Sequence, residues 1–117
     1  MQASGPSRIV LKGVTPPADG KSLRVNADGR DVAVFNRGGA LFAIDAECTH
    51  AGGPLDEGEV TDHRVECPWH GSVFDIETGK VLRGPAAKPI RAYRVISEKD
   101  GLVLEPRPLG SGVPAGH

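Results

Sequence analysis

The sequence predicts an all-β domain, an antiparallel β-sandwich or barrel with an inserted subdomain and almost no helix. Three observations predict it. Short β-type runs punctuated by turn residues recur along most of the chain. Sixteen glycines and ten prolines stand against 4% aromatic residues in 117 positions, a composition that disfavours a helical bundle. No segment keeps a helical period over three turns. The length suits one domain, which should bury about two thirds of the surface its unfolded chain exposes.

The elements read in order as follows. Arg8–Lys12 is a first β-type run, ended by Pro16-Pro17. Leu23–Val25 and Val32–Phe35 flank Asp28-Gly29, and Asn36-Arg37-Gly38-Gly39 turns the chain into Leu41–Ile44, a hairpin pattern. After an irregular stretch come Arg64–Cys67 and Ser72–Ile76. Glu77-Thr78-Gly79 then leads into Lys80–Leu82. Ile90–Ser97 is β-branched and aromatic, and Asp100-Gly101 folds it back onto Leu102–Glu105. Residues 8–46 and 86–105 form the expected basal sandwich, with Phe35, Phe42 and Tyr93 in its core. Residues 1–7 and 106–117, rich in Gly, Pro and Ser, are expected to be flexible tails. Residues 47–85 are the insertion, dense in Gly and Pro.

Charge and segment composition exclude several roles. Fourteen basic residues balance fifteen acidic ones, which argues against a protein built to neutralise nucleic-acid phosphates or to coat an anionic membrane. No apolar run approaches the ~18 residues of a membrane span, and Met1–Pro6 lacks the basic start and apolar stretch of a secretory signal. A cytoplasmic protein is expected; the two cysteines taken alone read as one disulfide or two inert thiols.

The chemistry lies in the insertion. Cys48-Thr49-His50 and Cys67-Pro68-Trp69-His70 are two mixed Cys/His pairs, C-x-H and C-x-x-H, separated by residues 51–66. One such pair alone is commonplace. Two pairs that use every cysteine in the chain indicate metal binding. Each puts a soft thiolate and an imidazole on a tight loop, and two loops together supply four ligands suited to zinc or to an iron–sulfur cluster. Structural zinc sites usually keep cysteine pairs and histidine pairs unmixed. Gly52, Gly53 and Gly71 would also let backbone N–H groups approach something negative, as inorganic sulfides require and a zinc ion does not. His63, in a charged turn, and His117, near the end, read as solvated side chains. Asp56-Glu57-Gly58-Glu59 reads as a solvated turn, with an acidic docking patch as the lesser alternative.

Cys48-Thr49-His50-Ala51-Gly52-Gly53-Pro54-Leu55 and Cys67-Pro68-Trp69-His70-Gly71-Ser72-Val73-Phe74-Asp75 resemble the two ligand loops of the Rieske [2Fe–2S] proteins, and Thr78–Leu82 and Gly84-Pro85-Ala86 extend the likeness. The resemblance spans about Arg8 to Glu105. It implies the Rieske fold, with residues 47–85 as the cluster-binding subdomain. It also implies one [2Fe–2S] cluster per chain, with Cys48 and Cys67 on one iron and His50 and His70 on the other. Gly84–Ala86 would be a proline loop closing over it. Two histidines in place of two cysteines remove negative charge, so the centre accepts an electron more readily than an all-cysteine cluster.

The resemblance further implies an electron carrier rather than an enzyme, a ferredoxin passing electrons from an NAD(P)H-dependent flavin reductase to a terminal oxygenase. Docking would be transient, at the cluster tip around Trp69, and the carrier a monomer. Aromatic hydrocarbon catabolism follows only by analogy. Alternatives are a small Rieske subunit of a larger reductase, such as a nitrite reductase, and a zinc-stabilised binding module. High-potential family members carry a disulfide between the loops and a tyrosine donor. Gly53 and Trp69 stand at the matching cysteine positions and Phe74 at the tyrosine, while Ser72 matches the serine donor. A midpoint in the lower part of the Rieske range, whose floor is about −150 mV, is expected.

Overall fold

The structure of the protein is a computed structural model, which describes residues 8–49, 52–86 and 88–107. Among these residues ten strands form two antiparallel sheets. The larger sheet holds β1 (Ile9–Lys12), β2 (Ser22–Ala27), β3 (Arg30–Arg37), β4 (Ala40–Asp45), β9 (Ala92–Glu98) and β10 (Gly101–Pro106), in the order β1-β10-β9-β4-β3-β2. Its edge strands β1 and β2 approach each other, so the sheet curls towards a barrel. The smaller sheet holds β5 (Glu59–Thr61), β6 (Arg64–Glu66), β7 (Val73–Asp75) and β8 (Val81–Arg83) in sequence order. A single 3₁₀ turn, Leu55–Glu57, is the one helical element among the described residues.

Local chemistry sets the hairpins. Arg37 pairs with Ala40, leaving Gly38-Gly39 as a two-residue turn. Both glycines have positive φ, at 65° and 95°, the conformation whose twist matches the flanking strands. Each predicted run overlaps a strand: Val32–Phe35 lengthens to Arg30–Arg37 where the ladder continues, while Ser72–Ile76 shortens to Val73–Asp75. The irregular stretch contained two further elements, β5 and the 3₁₀ turn. Both are too short to leave a periodic signal, and β5 exists because Val60 pairs with Val65 across the Asp62-His63 turn. At the end of the chain the expected tail begins too early. Pro106 pairs with Tyr93, and the Arg107 N–H donates to the Ala92 carbonyl at 2.9 Å. The remaining expected tail residues, 1–7 and 108–117, lie outside the described residues.

Strand β3 explains how the sheets are joined. Val32, Ala33, Val34 and Phe35 are all buried, because alternate side chains enter different clusters. Val32 and Val34 pack with Leu11, Ala43, Tyr93, Leu102 and Leu104 inside the curled sheet. Ala33 and Phe35 face the other way, with Ile44, against Leu55, Val65, Phe74 and Ile76 of the inserted part. Burying a side chain the size of Phe35 contributes roughly 1.5–3 kcal/mol. Phe42 is only partly buried and packs at the margin of this second cluster. Tyr93 is buried, and its hydroxyl donates to Asp45 at 2.6 Å. Burial, then the Asp45 bond, raises its pKa above the ordinary tyrosine value of 10.0.

Candidate metal centre

The second cluster also contains both cysteines, which are 4% and 2% exposed and not joined in a disulfide. Each begins a hairpin loop, and the two loops share one backbone pattern. In the first, the Cys48 N–H donates to the Gly53 carbonyl and the Gly52 N–H to the Cys48 carbonyl, both at 2.9 Å. In the second, the Cys67 N–H donates to Ser72 at 2.7 Å and the Gly71 N–H to Cys67 at 3.0 Å. The flanking pairs correspond as well: Glu47 opposite Pro54, and Glu66 opposite Val73. The sequence thus builds two hairpins of equal length from Glu-Cys starts and a glycine four positions after each cysteine.

The glycines act differently from the sequence expectation. Gly52 and Gly71 sit at φ of 77° and 80°, where other residues are strained, and their N–H groups close the loops on the cysteine carbonyls. Those two donors are therefore taken by backbone rather than held open for an anion. Gly53 serves by lacking a side chain. A Cβ there would lie 2.5 Å from the Cys67 Sγ and 3.1 Å from the Trp69 ring, so the first hairpin lies against the second at this point.

Neighbouring elements hold both hairpins from outside. Arg24 of β2 reaches Asp56 at 2.6 Å and Glu47 at 3.6 Å, bracketing the first loop, and the Ser22 hydroxyl donates to the Asp56 carbonyl. The Asp56 bond, then that to Asp31, raises the Arg24 pKa. Asp56 is thereby a structural anchor rather than part of a solvated patch. Arg83 of β8 donates to the Gly71 carbonyl from Nε and Nη2, at 3.3 and 3.1 Å, and pairs with Glu66 at 3.4 Å. Arg24, Arg83 and Thr49 were not singled out from sequence. The repeated Glu-Cys start could have pointed to the two arginines.

Of the four candidate ligands, Cys48 and Cys67 come together in the buried cluster, and His70 is exposed on the second hairpin. His50 lies outside the described residues, as does His117. His63 is apart from the loops: it is exposed in the β5–β6 turn, with its ring 4.9 Å from that of Phe42. Trp69 is 57% exposed beside His70. Ser72 is fully buried, and its Oγ accepts the Ala86 N–H at 2.9 Å, so its own proton remains to be donated. Two buried thiols on matched loops, an exposed imidazole and a buried hydroxyl donor fit a [2Fe–2S] cluster held by thiolates inside and imidazoles outside.

Comparison with known proteins agrees. The family model of the Rieske [2Fe-2S] domain matches residues 9–94. The chain is 34% identical over 100 residues to the 3-phenylpropionate/cinnamic acid dioxygenase ferredoxin subunit of Escherichia coli (strain K12), covering 85% of this chain and 93% of that one. The ferredoxin of carbazole 1,9a-dioxygenase from Nocardioides aromaticivorans IC177 superposes with a TM-score of 0.71 at 30% identity, over 89% of this chain and 100% of that one. A complex of reduced oxygenase and oxidized ferredoxin in carbazole 1,9a-dioxygenase contains a chain with a TM-score of 0.71 and 27% identity, over 82% of this chain and 99% of that one.

Proposed function

Because this chain belongs to the Rieske [2Fe–2S] domain family, and is an electron carrier of the dioxygenase-ferredoxin type, we propose that Cys48, His50, Cys67 and His70 hold its cluster. Cys48 and Cys67 would supply thiolates to the inner iron, and His50 and His70 imidazoles to the outer one. When bound there, the cluster would supply one-electron redox chemistry at the iron that His50 and His70 would hold. The observation that carries this reading is the pair of matched hairpins, each opening on a buried cysteine and touching at Gly53 and Cys67. Residues 47–85 act as the cluster-binding subdomain on a basal unit of 8–46 and 86–105.

The donor is a flavin reductase using NAD(P)H, and the acceptor a terminal oxygenase, as in the carbazole dioxygenase complex of oxygenase and ferredoxin. The carrier is a cytoplasmic monomer. Among the described residues no helix is long and apolar enough to cross a membrane. Both partners bind at the tip that carries His70 and the exposed Trp69. An interface that forms and parts quickly should bury less than ~1,200 Å² in total. Trp69→Ala tests this docking: electron delivery to the oxygenase should slow about tenfold, with the urea midpoint nearly unchanged, as for a truncated interface anchor. Unchanged delivery, or partner-induced NMR shifts confined to the end of the larger sheet away from residues 69–70, would refute it.

A further inference from the structure

Between β8 and β9 the chain crosses from the smaller sheet to the larger one as a short strap, and it meets a hydroxyl from each hairpin. At one point the Ala86 N–H donates to Ser72 Oγ, at the end of the second hairpin, over 2.9 Å in a buried setting. Two residues on, the Lys88 carbonyl accepts the Thr49 hydroxyl, within the first hairpin, at 2.8 Å. The strap is fixed where it leaves the site, since the Ile90 N–H donates to Gly79 at 2.8 Å and Ile90 is 1% exposed. Ala86 is itself buried, in the same cluster as Cys48, Cys67 and Leu55.

We propose that Thr49 is a positioning residue, whose hydroxyl completes a non-covalent cross-link running from the first hairpin by way of Lys88 and Ala86 to Ser72 of the second. The proposal rests on the cluster assignment above for its functional meaning: the cross-link holds the two ligand-bearing loops at a fixed separation. The links act in series. Apart from the direct contact at Gly53 and Cys67, the strap is one link between the hairpins; that link is lost when either end is cut, and cutting the second end then changes little. Two hydroxyls that merely stabilised their own loops would act independently, and their effects would multiply.

The test compares wild type, Thr49→Val, Thr49→Ser, Ser72→Ala and the Thr49→Val/Ser72→Ala double variant. One readout is the rate at which an iron chelator bleaches visible absorbance. The other is deuterium uptake at the Ala86 amide, at the opposite end of the strap from Thr49. Thr49→Val should bleach about two- to fivefold faster, in the lower half of the worth of one hydrogen bond because Thr49 is exposed. It should also speed exchange at Ala86. Thr49→Ser should restore both, and Thr49→Val should add nothing once Ser72 is alanine. Wild-type bleaching in Thr49→Val, no rescue by serine, or a factor that multiplies in the double variant would each overturn the cross-link. A wild-type protein that holds no iron or sulfide would instead refute the cluster assignment. Exchange at Ala86 would still decide the cross-link: faster in Thr49→Val upholds it, unchanged overturns it.

Discussion

Gly53→Ala places a methyl group where the two hairpins meet. The added Cβ would sit 2.5 Å from the Cys67 Sγ, against 3.4 Å or more for ordinary contact, and within 3.1–3.2 Å of the Trp69 ring. Trp69 is 57% exposed and can swing outward. Cys67 cannot, because it is 2% exposed and its backbone is closed on Ser72 and Gly71. The strain therefore falls on a proposed ligand sulfur. Overpacking of this kind costs about 1–3 kcal/mol, which should lower the urea midpoint by roughly 1–2 M. Iron per chain should fall below that of wild type, and the visible circular dichroism should change with it. Gly52→Ala is the control. It meets no atom within 4 Å and bears only the cost of a left-handed backbone, about 1–2 kcal/mol, so it should destabilise while leaving the visible spectrum alone. Full iron, an unchanged spectrum and an unchanged midpoint in Gly53→Ala would refute the contact between the hairpins.

Ser72→Ala removes a buried hydroxyl and leaves the Ala86 N–H without its acceptor, a loss of about 1–3 kcal/mol in urea unfolding. If the serine proton is given to a cluster sulfur, worth about 1 kcal/mol more in the reduced state, voltammetry should find the midpoint lowered by roughly 40 mV. No shift would show the proton directed elsewhere. Tyr93→Phe removes the bond to Asp45, which Arg30 still holds at 2.9 Å, and should cost about 1.5 kcal/mol near neutral pH. The folded pKa of Tyr93 is raised, so its contribution is complete below the unfolded value of 10.0 and is lost as pH rises through the folded value. The stability gap between wild type and Tyr93→Phe, read by urea titration at several pH values, should therefore narrow above pH 10; a constant gap would contradict the linkage.

The strands of the larger sheet were legible because each carries enough β-branched and apolar residues to show alternation or a buried run, and because Asp28-Gly29 and Gly38-Gly39 mark their turns. The juxtaposition of Cys48 and Cys67 was legible from residue type and spacing alone. Strand β5 was not, since a three-residue strand such as Glu59–Thr61 has no period to detect and forms only through its partner β6. The roles of Arg24, Arg83 and Thr49 depend on contacts between residues far apart in the chain. Thr49 meets Lys88 and Arg24 meets Asp56, pairings that no local pattern encodes. For Gly52 and Gly71 the residue type was informative but the reason differed. Their positive φ closes the loops, while it is Gly53 that makes room for the Cys67 sulfur.

The ligand set is tested most directly by its nitrogens. The chain has four histidines, so replacing His63 and His117 with alanine leaves His50 and His70 alone. Pulsed EPR of that variant after dithionite reduction reads the coupled nitrogens without interference. The expected result is a full cluster, the wild-type spectrum with its low average g, and two imidazole nitrogens strongly coupled to the reduced centre. Loss of the cluster, a single coupled nitrogen, or a colourless protein holding one zinc ion and no sulfide would contradict it.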